Sequence, residues 1–563
     1  MPAKPRIAHL AGSNATIQNS PPLVTSNKAR EKHGLPLVTG SDGAPLRFDV
    51  LRAQRLAAPV TVYVEQFSAH PLERDAAELY GPPDGYLDSK GSFHKERRGA
   101  DDTPVYEITL RPEDGVYPLP YMARQADGRA WEEDCAWPLA PEQQARQPFY
   151  PDGARLFEEI DRLGIGDKGI GNLISGRAEI DFYRVVPSSG YTKGLAAKLR
   201  TDVGEGDIAA EVRGRDFFPY RPYHLGPAPP RPALARIANA VQRVLATGKY
   251  AGAVWTQGSP RIEETVYWLN LLIDTTLPIC GNASQRPHGQ LSNDGDKNIV
   301  DSVDYIVSRV WADEGGRNRA GVVLVQDQQV FAARDVQKAD ARPGGYVVTG
   351  GHGGILGAAG WDGPAVLNYA PATRHTYLSA VNSTRLPAEV VGHLKSGEMR
   401  VPIKDGRGDV LEPAIPKVTI VKDGNYTADD YDDDDVSREV DLLAQIERNL
   451  AAHPLAGFVV EGLSPYGRLT SAVRTRVMRR AAFCGMPVVL VGRGNAGGFV
   501  PPPNAPFIGG RNLTATKARL LLMACLMKVG SVPAATDPDR PTPGEGEAAQ
   551  KKIREYQELF DTH

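Results

Sequence analysis

The stretch YAGAVWTQGSPRIEETVYWLNLL, residues 250–272, decides the fold. It reads as a strand ending in a polar turn, Gln257–Gly258–Ser259, that runs directly into an amphipathic helix. Pro260 sits where a helix tolerates proline, in the first turn, because its missing N–H would have had no partner there. Strand, tight turn and helix in this order form the repeating unit of an open α/β sheet, and the turn is where such a sheet holds something small.

Working outward, the same rhythm recurs. RIAHLAGSNATIQ (6–18) is a short buried strand opening into a Gly/Ser/Asn-rich turn, and PVTVYVEQF (59–67) is a second strand, rich in β-branched and aromatic residues. From about 71 to 229 the chain is heavy in Pro, Gly, Tyr and charge and the alternation is lost, which reads as an insertion or subdomain because so long a structureless loop is improbable. The helix ALARIANAVQRVLATG restarts the pattern. After the quoted stretch come a strand at LPICGN, the helix IVDSVDYIVSRVW and the strands GVVLVQ and QQVFAARD. A second α/β unit begins near 415 with KVTIVK and continues through three helices alternating with the strands GFVVEG and PVVLVG. The expectation is two doubly wound, mainly parallel-sheet domains: an N-terminal one over 1–410 carrying the insertion, a smaller C-terminal one over 415–532, then a linker and short polar helix over 533–563.

Bulk properties narrow the function. With 563 residues the chain exceeds the ~250 to 300 at which one core stops growing. A net charge of -3 gives no electrostatic case for nucleic acid or an anionic membrane. Four cysteines, widely spaced and without C-x-x-C, argue for a reducing compartment and against a disulfide framework or zinc site. The acidic run 429–435 lacks the spaced ligands and glycine of a calcium loop. A cytoplasmic protein acting on a small molecule, with no metal and no cofactor, is expected.

Six separated segments together resemble the bacterial-type L-asparaginase/glutaminase family, which uses a threonine nucleophile. AGSNATIQ is similar to the T-G-G-T-I opening with two residues inserted, TQGSPRIEETVYWLNLL to T-H-G-T-D-T-x-E-E-T-A, and NASQRPHGQLSNDGDKN to G-A-M-R-P-x-x-x-x-S-A-D-G-x-x-N. FAARDVQKAD resembles R-D-V-x-K, RHT at 374–376 recurs downstream, and RNLTATKARLLLMACL resembles the closing D-L-N-P-Q-K-A-R helix. The resemblance covers about 6–70, 230–380 and 415–530, and implies a small-molecule amide substrate and a homo-oligomer, a dimer or tetramer.

It also implies roles. Thr16 falls at the family's nucleophilic threonine, Ser259 at its second threonine and Lys338 at its lysine. A hydroxyl beside a desolvated amine is a coherent proton-transfer pair, because burial lowers an ammonium pKa. Each has a plainer reading: Thr16 as a turn or cap residue, Ser259 as the N-cap of the following helix, Lys338 as a surface lysine after a strand. Gly258, Pro260 and Ala283 fall on the substrate side, and Asp294 is expected to support the site loop rather than react. Ser68 and His70 lie near a family substrate-binding loop. Residues 19–58 lack the family's lid tyrosine; Tyr191 in SSGYTKG is the candidate replacement, or a Gly-flanked surface turn.

The departures carry specificity. The family aspartate that grips the substrate's α-ammonium is here Pro260, and the loop GNAGGFVPPPNAPF, where a glutamate would complete that grip, holds no acid. Leaving a buried ammonium without its carboxylate costs about 3 to 5 kcal/mol, a hundredfold or more in binding. The expected substrate is an amide, imide or lactam without a free α-amino group. A non-catalytic small-molecule-binding homologue and an ammonia-supplying subunit of a larger complex are the alternatives.

Overall fold

The computed structural model describes residues 4–12, 60–64, 82–88, 93–110, 160, 173–174, 176–184, 231–259, 261–286, 292–349, 353–360, 364–424, 435–463, 467–493, 503 and 506–563. In chain order the elements are β1 (Arg6–Ala11), β2 (Val60–Val64), β3 (Gly85–Leu87), β4 (Phe93–His94), β5 (Thr103–Leu110), β6 (Glu179–Arg184), α1 (Ala233–Ala246), β7 (Gly252–Thr256), α2 (Ile262–Leu272), β8 (Ile279–Asn282) and α3 (Gly295–Ser308). Then come β9 (Val322–Gln326), β10 (Gln329–Ala332), β11 (Val336–Lys338), β12 (Tyr346–Val348), β13 (Ile355–Ala358), β14 (Val366–Leu367), β15 (Glu389–Leu394) and β16 (Gly397–Pro402). The second unit supplies β17 (Lys417–Lys422), α4 (Val440–Ala452), β18 (Ala456–Gly462), α5 (Ala472–Phe483), β19 (Val488–Gly492), β20 (Phe507–Gly509), α6 (Ala515–Val529) and α7 (Pro543–Thr562).

The larger sheet has the order β14-β13-β10-β9-β8-β7-β1-β6. Strands β6, β1, β7, β8 and β9 run parallel, and β10, β13 and β14 close the other edge antiparallel. Alternate side chains feed two cores. Leu10 and Trp255 pack with α1 and α2, whereas Ile7 and Val254 pack with Ile299 and Val303 of α3. Both faces of the sheet are therefore covered, as parallel sheets require. The smaller sheet, β17-β18-β19-β20, is wholly parallel.

Three readings change with the structure. The segment taken as an insertion supplies β6, which pairs in parallel with β1 along the main sheet's edge, while β2 leaves that sheet for a four-stranded antiparallel one with β5, β3 and β4. Helix α2 is not amphipathic in its setting: every residue from Thr265 to Leu272 is buried, because α6 packs onto the face that would otherwise meet solvent. Residues of both units consequently share one core, Trp268 and Leu269 with Leu521 and Leu522. The terminal helix α7 is also longer than its polar composition implies. It opens with a Thr542/Glu545 capping box and buries Ala549, Ile553, Tyr556 and Phe560, spaced as one apolar stripe.

Close packing at the carboxyl ends of the strands depends on a glycine. A Cβ on Gly281 of β8 would lie 2.2 Å from Val266 Cγ1, so α2 reaches the sheet only because that side chain is missing.

Candidate active site

The β7–α2 turn leaves the sheet at the carboxyl end of β7. Gly12, just past β1, donates its backbone N–H to the Thr256 carbonyl at 2.8 Å, and the Gly258 carbonyl accepts from Ile262 at 3.3 Å as the helix starts. On β1, His9 Nε2 lies 2.7 Å from Thr256 Oγ1, and burial lowers the His9 pKa to about 3, so the ring is neutral. The N-cap position of α2 belongs to Arg261, whose side chain caps nothing. Ser259 is thus not the cap of its helix, and its hydroxyl has another use.

That use is a hydrogen bond from Tyr346, whose phenol donates to Ser259 Oγ at 3.0 Å. Strands β11 and β12 form a hairpin in which Lys338 and Tyr346 are direct cross-strand partners. Gly344, at φ 66°, takes the left-handed conformation that turns the chain back. Lys338 Nζ stands 4.5 Å from the Tyr346 ring centroid and donates to the Arg342 carbonyl at 3.1 Å. Among the described residues, therefore, the Ser259 hydroxyl meets the Tyr346 phenol and the Lys338 amine lies over the same ring, with no hydrogen bond between hydroxyl and amine.

Burial in this hairpin acts on the amine. Lys338 is half-buried, and desolvation lowers its pKa, with Asp294, Asp340 and Glu263 pulling the other way. Glu263 in the first turn of α2 accepts from the Lys338 backbone N–H, and burial raises its own pKa. Tyr346 is 5% exposed and its pKa is raised by burial, which keeps the phenol protonated and donating. A hydroxyl carries one proton; since Tyr346 fills an acceptor site on Ser259, the serine proton is free to point elsewhere.

Asp294 precedes α3 without capping it. Its carboxylate instead accepts from the Ser284 hydroxyl at 2.9 Å, from the backbone N–H groups of Gln285 and Arg286 at 3.0 and 2.9 Å, and from Gln326 Nε2 at 2.8 Å. Ala283, buried at the end of β8, lends its carbonyl to Asn298 Nδ2 at 2.9 Å. Four expected site residues, Thr16, Ser68, Pro260 and Tyr191, lie outside the described residues, as does His70. Of the rest, the structure gathers Ser259 and Lys338 about Tyr346 and sets Asp294 behind the neighbouring loop.

Sequence reasoning missed Tyr346, Glu263 and Lys517. Lys517 in α6 is wholly buried; its ammonium donates to the Ala333 carbonyl at 2.7 Å and to the Glu263 carbonyl, fixing the second unit against the site. The only sequence signal near Tyr346 is RPGG at 342–345, which marks a turn between two short strands but neither their register nor the contact with Ser259.

In two open α/β sheets, a serine hydroxyl past the carboxyl end of parallel strand β7 meets a phenol and an amine from the antiparallel β11–β12 hairpin, at the end of the sheet where α/β folds of this kind hold their ligands. Residues 209–344 match the family described as Asparaginase, N-terminal. The chain is 33% identical over 105 residues to a glutaminase-asparaginase of Acinetobacter glutaminasificans (19% of this chain, 30% of that one). It is 36% identical over 108 residues to an L-asparaginase of Bacillus licheniformis (19% and 32%). A crystal structure described as a probable cytoplasmic L-asparaginase from Campylobacter jejuni aligns with 69% of this chain and 93% of its own, at 20% identity and a TM-score of 0.44. The likeness to the asparaginase family is carried by residues 209–344, and the chain spans about a third of the length of these two curated relatives. Among the described residues no helix is long and apolar enough to cross a membrane, and no group of His, Cys, Asp and Glu fit for a metal ion occurs.

Proposed function

We propose that this protein hydrolyses the C–N bond of an amide, imide or lactam lacking a free α-amino group. The carrying observation is the hydrogen bond from Tyr346 to Ser259 with Lys338 against the same ring. In this reading the Thr16 hydroxyl attacks the carbonyl carbon and its proton passes by way of Ser259 and a bridging water to the neutral Lys338 amine. The C–N bond breaks as the nitrogen takes a proton, leaving an acyl ester on Thr16. Water then attacks that ester and restores the hydroxyl. Asp294 holds the 284–286 loop and does not react. Pro260, without charge or donor, supports a substrate that brings no ammonium to be gripped.

The test is turnover of a panel of primary amides, lactams and cyclic imides, read as ammonia release or ring opening, for wild type, Thr16→Ala and Ser259→Ala. Turnover lost in both variants is the expected result. Turnover in Thr16→Ala at the wild-type rate would end the nucleophile assignment, and no turnover of any compound by wild type would favour a binding protein. Efficient hydrolysis of free asparagine would overturn the specificity.

A further inference from the structure

A cavity of about 340 Å³ opens where α1, the start of α2, β17 and α6 converge. That volume lies within the small-molecule range. Its lining combines an apolar floor, Leu234, Ile237, Leu520 and Met523, with three guanidinium groups, Arg231, Arg261 and Arg519. Among the described lining residues one carboxylate, Glu264, answers them, and it pairs with Arg519 at 2.5 Å. Three cations against one anion leave an excess of two positive charges. Arg231 has part of its donor capacity taken by the Ile415 carbonyl. Arg261 differs: its Nη1 is buried with no hydrogen-bond partner among the described residues, which is uncommon in a folded protein because a buried donor left unmet costs free energy. Gln257 adds a neutral group. It is 2% exposed, and Trp255 Nε1 donates to its Oε1 at 3.1 Å, so the donor end of this amide is the one left for a ligand.

We propose that this cavity binds a small monocarboxylate with an apolar body, its carboxylate on Arg261 and the Gln257 amide and its hydrocarbon portion against Leu234, Ile237 and Met523. A planar guanidinium with an unclaimed edge matches a carboxylate's two oxygens. A fully hydrophilic dianion would leave the apolar floor unused, and a neutral hydrocarbon would leave the Arg261 donor unmet. The site is distinct from the Ser259 cluster although both hang on the β7–α2 turn: Gln257 and Arg261 line the cavity, while Ser259 between them is engaged by Tyr346. The inference does not rest on amide hydrolysis.

The test is isothermal titration calorimetry of the full chain with 4-phenylbutanoate and with its uncharged counterpart 5-phenylpentan-2-one. The carboxylate is expected to bind at least tenfold more tightly. Arg261→Met is expected to remove that preference, leaving the ketone's affinity unchanged. Met523→Trp, which fills the apolar end without altering charge, is expected to weaken both at least tenfold. Circular dichroism melting verifies that each variant is folded, and if Arg261→Met is not, the wild-type pair and Met523→Trp decide. Equal affinities for acid and ketone, absence of binding, or binding indifferent to Met523→Trp would each overturn the proposal.

Discussion

Lys338 and Tyr346 face one another across the β11–β12 hairpin, and the Tyr346 phenol donates to Ser259 Oγ at 3.0 Å. The pairing makes Tyr346 a positioning residue with a separable effect. Tyr346→Phe keeps the ring beneath which Lys338 is desolvated and removes only the hydrogen bond. Turnover is expected to fall about tenfold to a hundredfold, with KM moved less than about twofold because ground-state binding does not use the phenol. Stability should drop by only about 1 kcal/mol. Steady-state kinetics alongside urea unfolding checks both.

The role proposed for Lys338 carries a pH dependence. Its pKa is lowered by burial, and the neutral amine is the form that accepts a proton. Activity should therefore rise with pH, on a titration below the ordinary lysine range. In Lys338→Met the residual activity should lose that ascending limb. A pH–rate profile that is unchanged in shape by the substitution would remove the amine from the reaction.

Asp294 anchors the loop after β8 through four donors. Asp294→Ala strands the backbone N–H groups of Gln285 and Arg286 together with two side-chain donors, and should cost about 3 kcal/mol. Asp294→Asn, which keeps an acceptor, should cost less than half of that. Chemical denaturation of the two variants gives the comparison.

Much of this was legible in the chain. The β7–α2 unit announces itself because a strand and a helix change hydrophobic period across three polar residues, and the parallel core of both sheets follows from repeating that unit. The partner of Ser259 was not legible from local pattern, since Tyr346 arrives 87 positions later on a short hairpin whose register depends on its turn. Nor was the burial of α2. A periodic pattern reports the face toward its own sheet, but Trp268 and its neighbours are covered by a helix some 250 residues downstream, information that no window contains. Lys517 illustrates the same limit: inside an apolar helix it looks like a solvent-facing residue until the carbonyls of Glu263 and Ala333 are brought to it.

Three buried histidines are expected to make the fold acid-labile. Burial lowers His9 to about 3 and both His375 and His563 to about 4, against 6.5 unfolded. Below pH 6.5 the unfolded chain takes up protons that the folded one refuses, so stability falls as pH falls. At pH 5 each contributes a loss of about 2 kcal/mol. Asp301, raised to about 6 by burial, gives a smaller opposing change. His9→Gln should flatten the fall between pH 6.5 and 5 relative to wild type, as read from urea unfolding at half-unit intervals.

Lys517 gives the opposite limb. Burial lowers its pKa to about 8, against 10.5 unfolded. Between these values the unfolded state holds the extra proton, so this residue's contribution to stability rises with pH, by at most about 1.4 kcal/mol per unit. The wild-type curve alone will not display it. The thiols of Cys280, Cys484 and Cys525 are all raised by burial, and a group that stays protonated only when folded loses stability as pH climbs past its unfolded pKa. Three such groups outweigh one lysine near pH 9. Subtraction isolates the lysine, because the cysteines are common to wild type and Lys517→Met. The two carbonyls orphaned by the substitution add an offset that does not vary with pH. Unfolding free energies of both proteins at pH 7, 8, 9 and 10 should therefore differ by an amount that is constant below about pH 8 and then moves in favour of wild type by about 2 to 3 kcal/mol. A difference that stays flat from pH 7 to 10 would mean that the α6 lysine titrates as it would in water, and that it does not enter the domain junction as a buried charge.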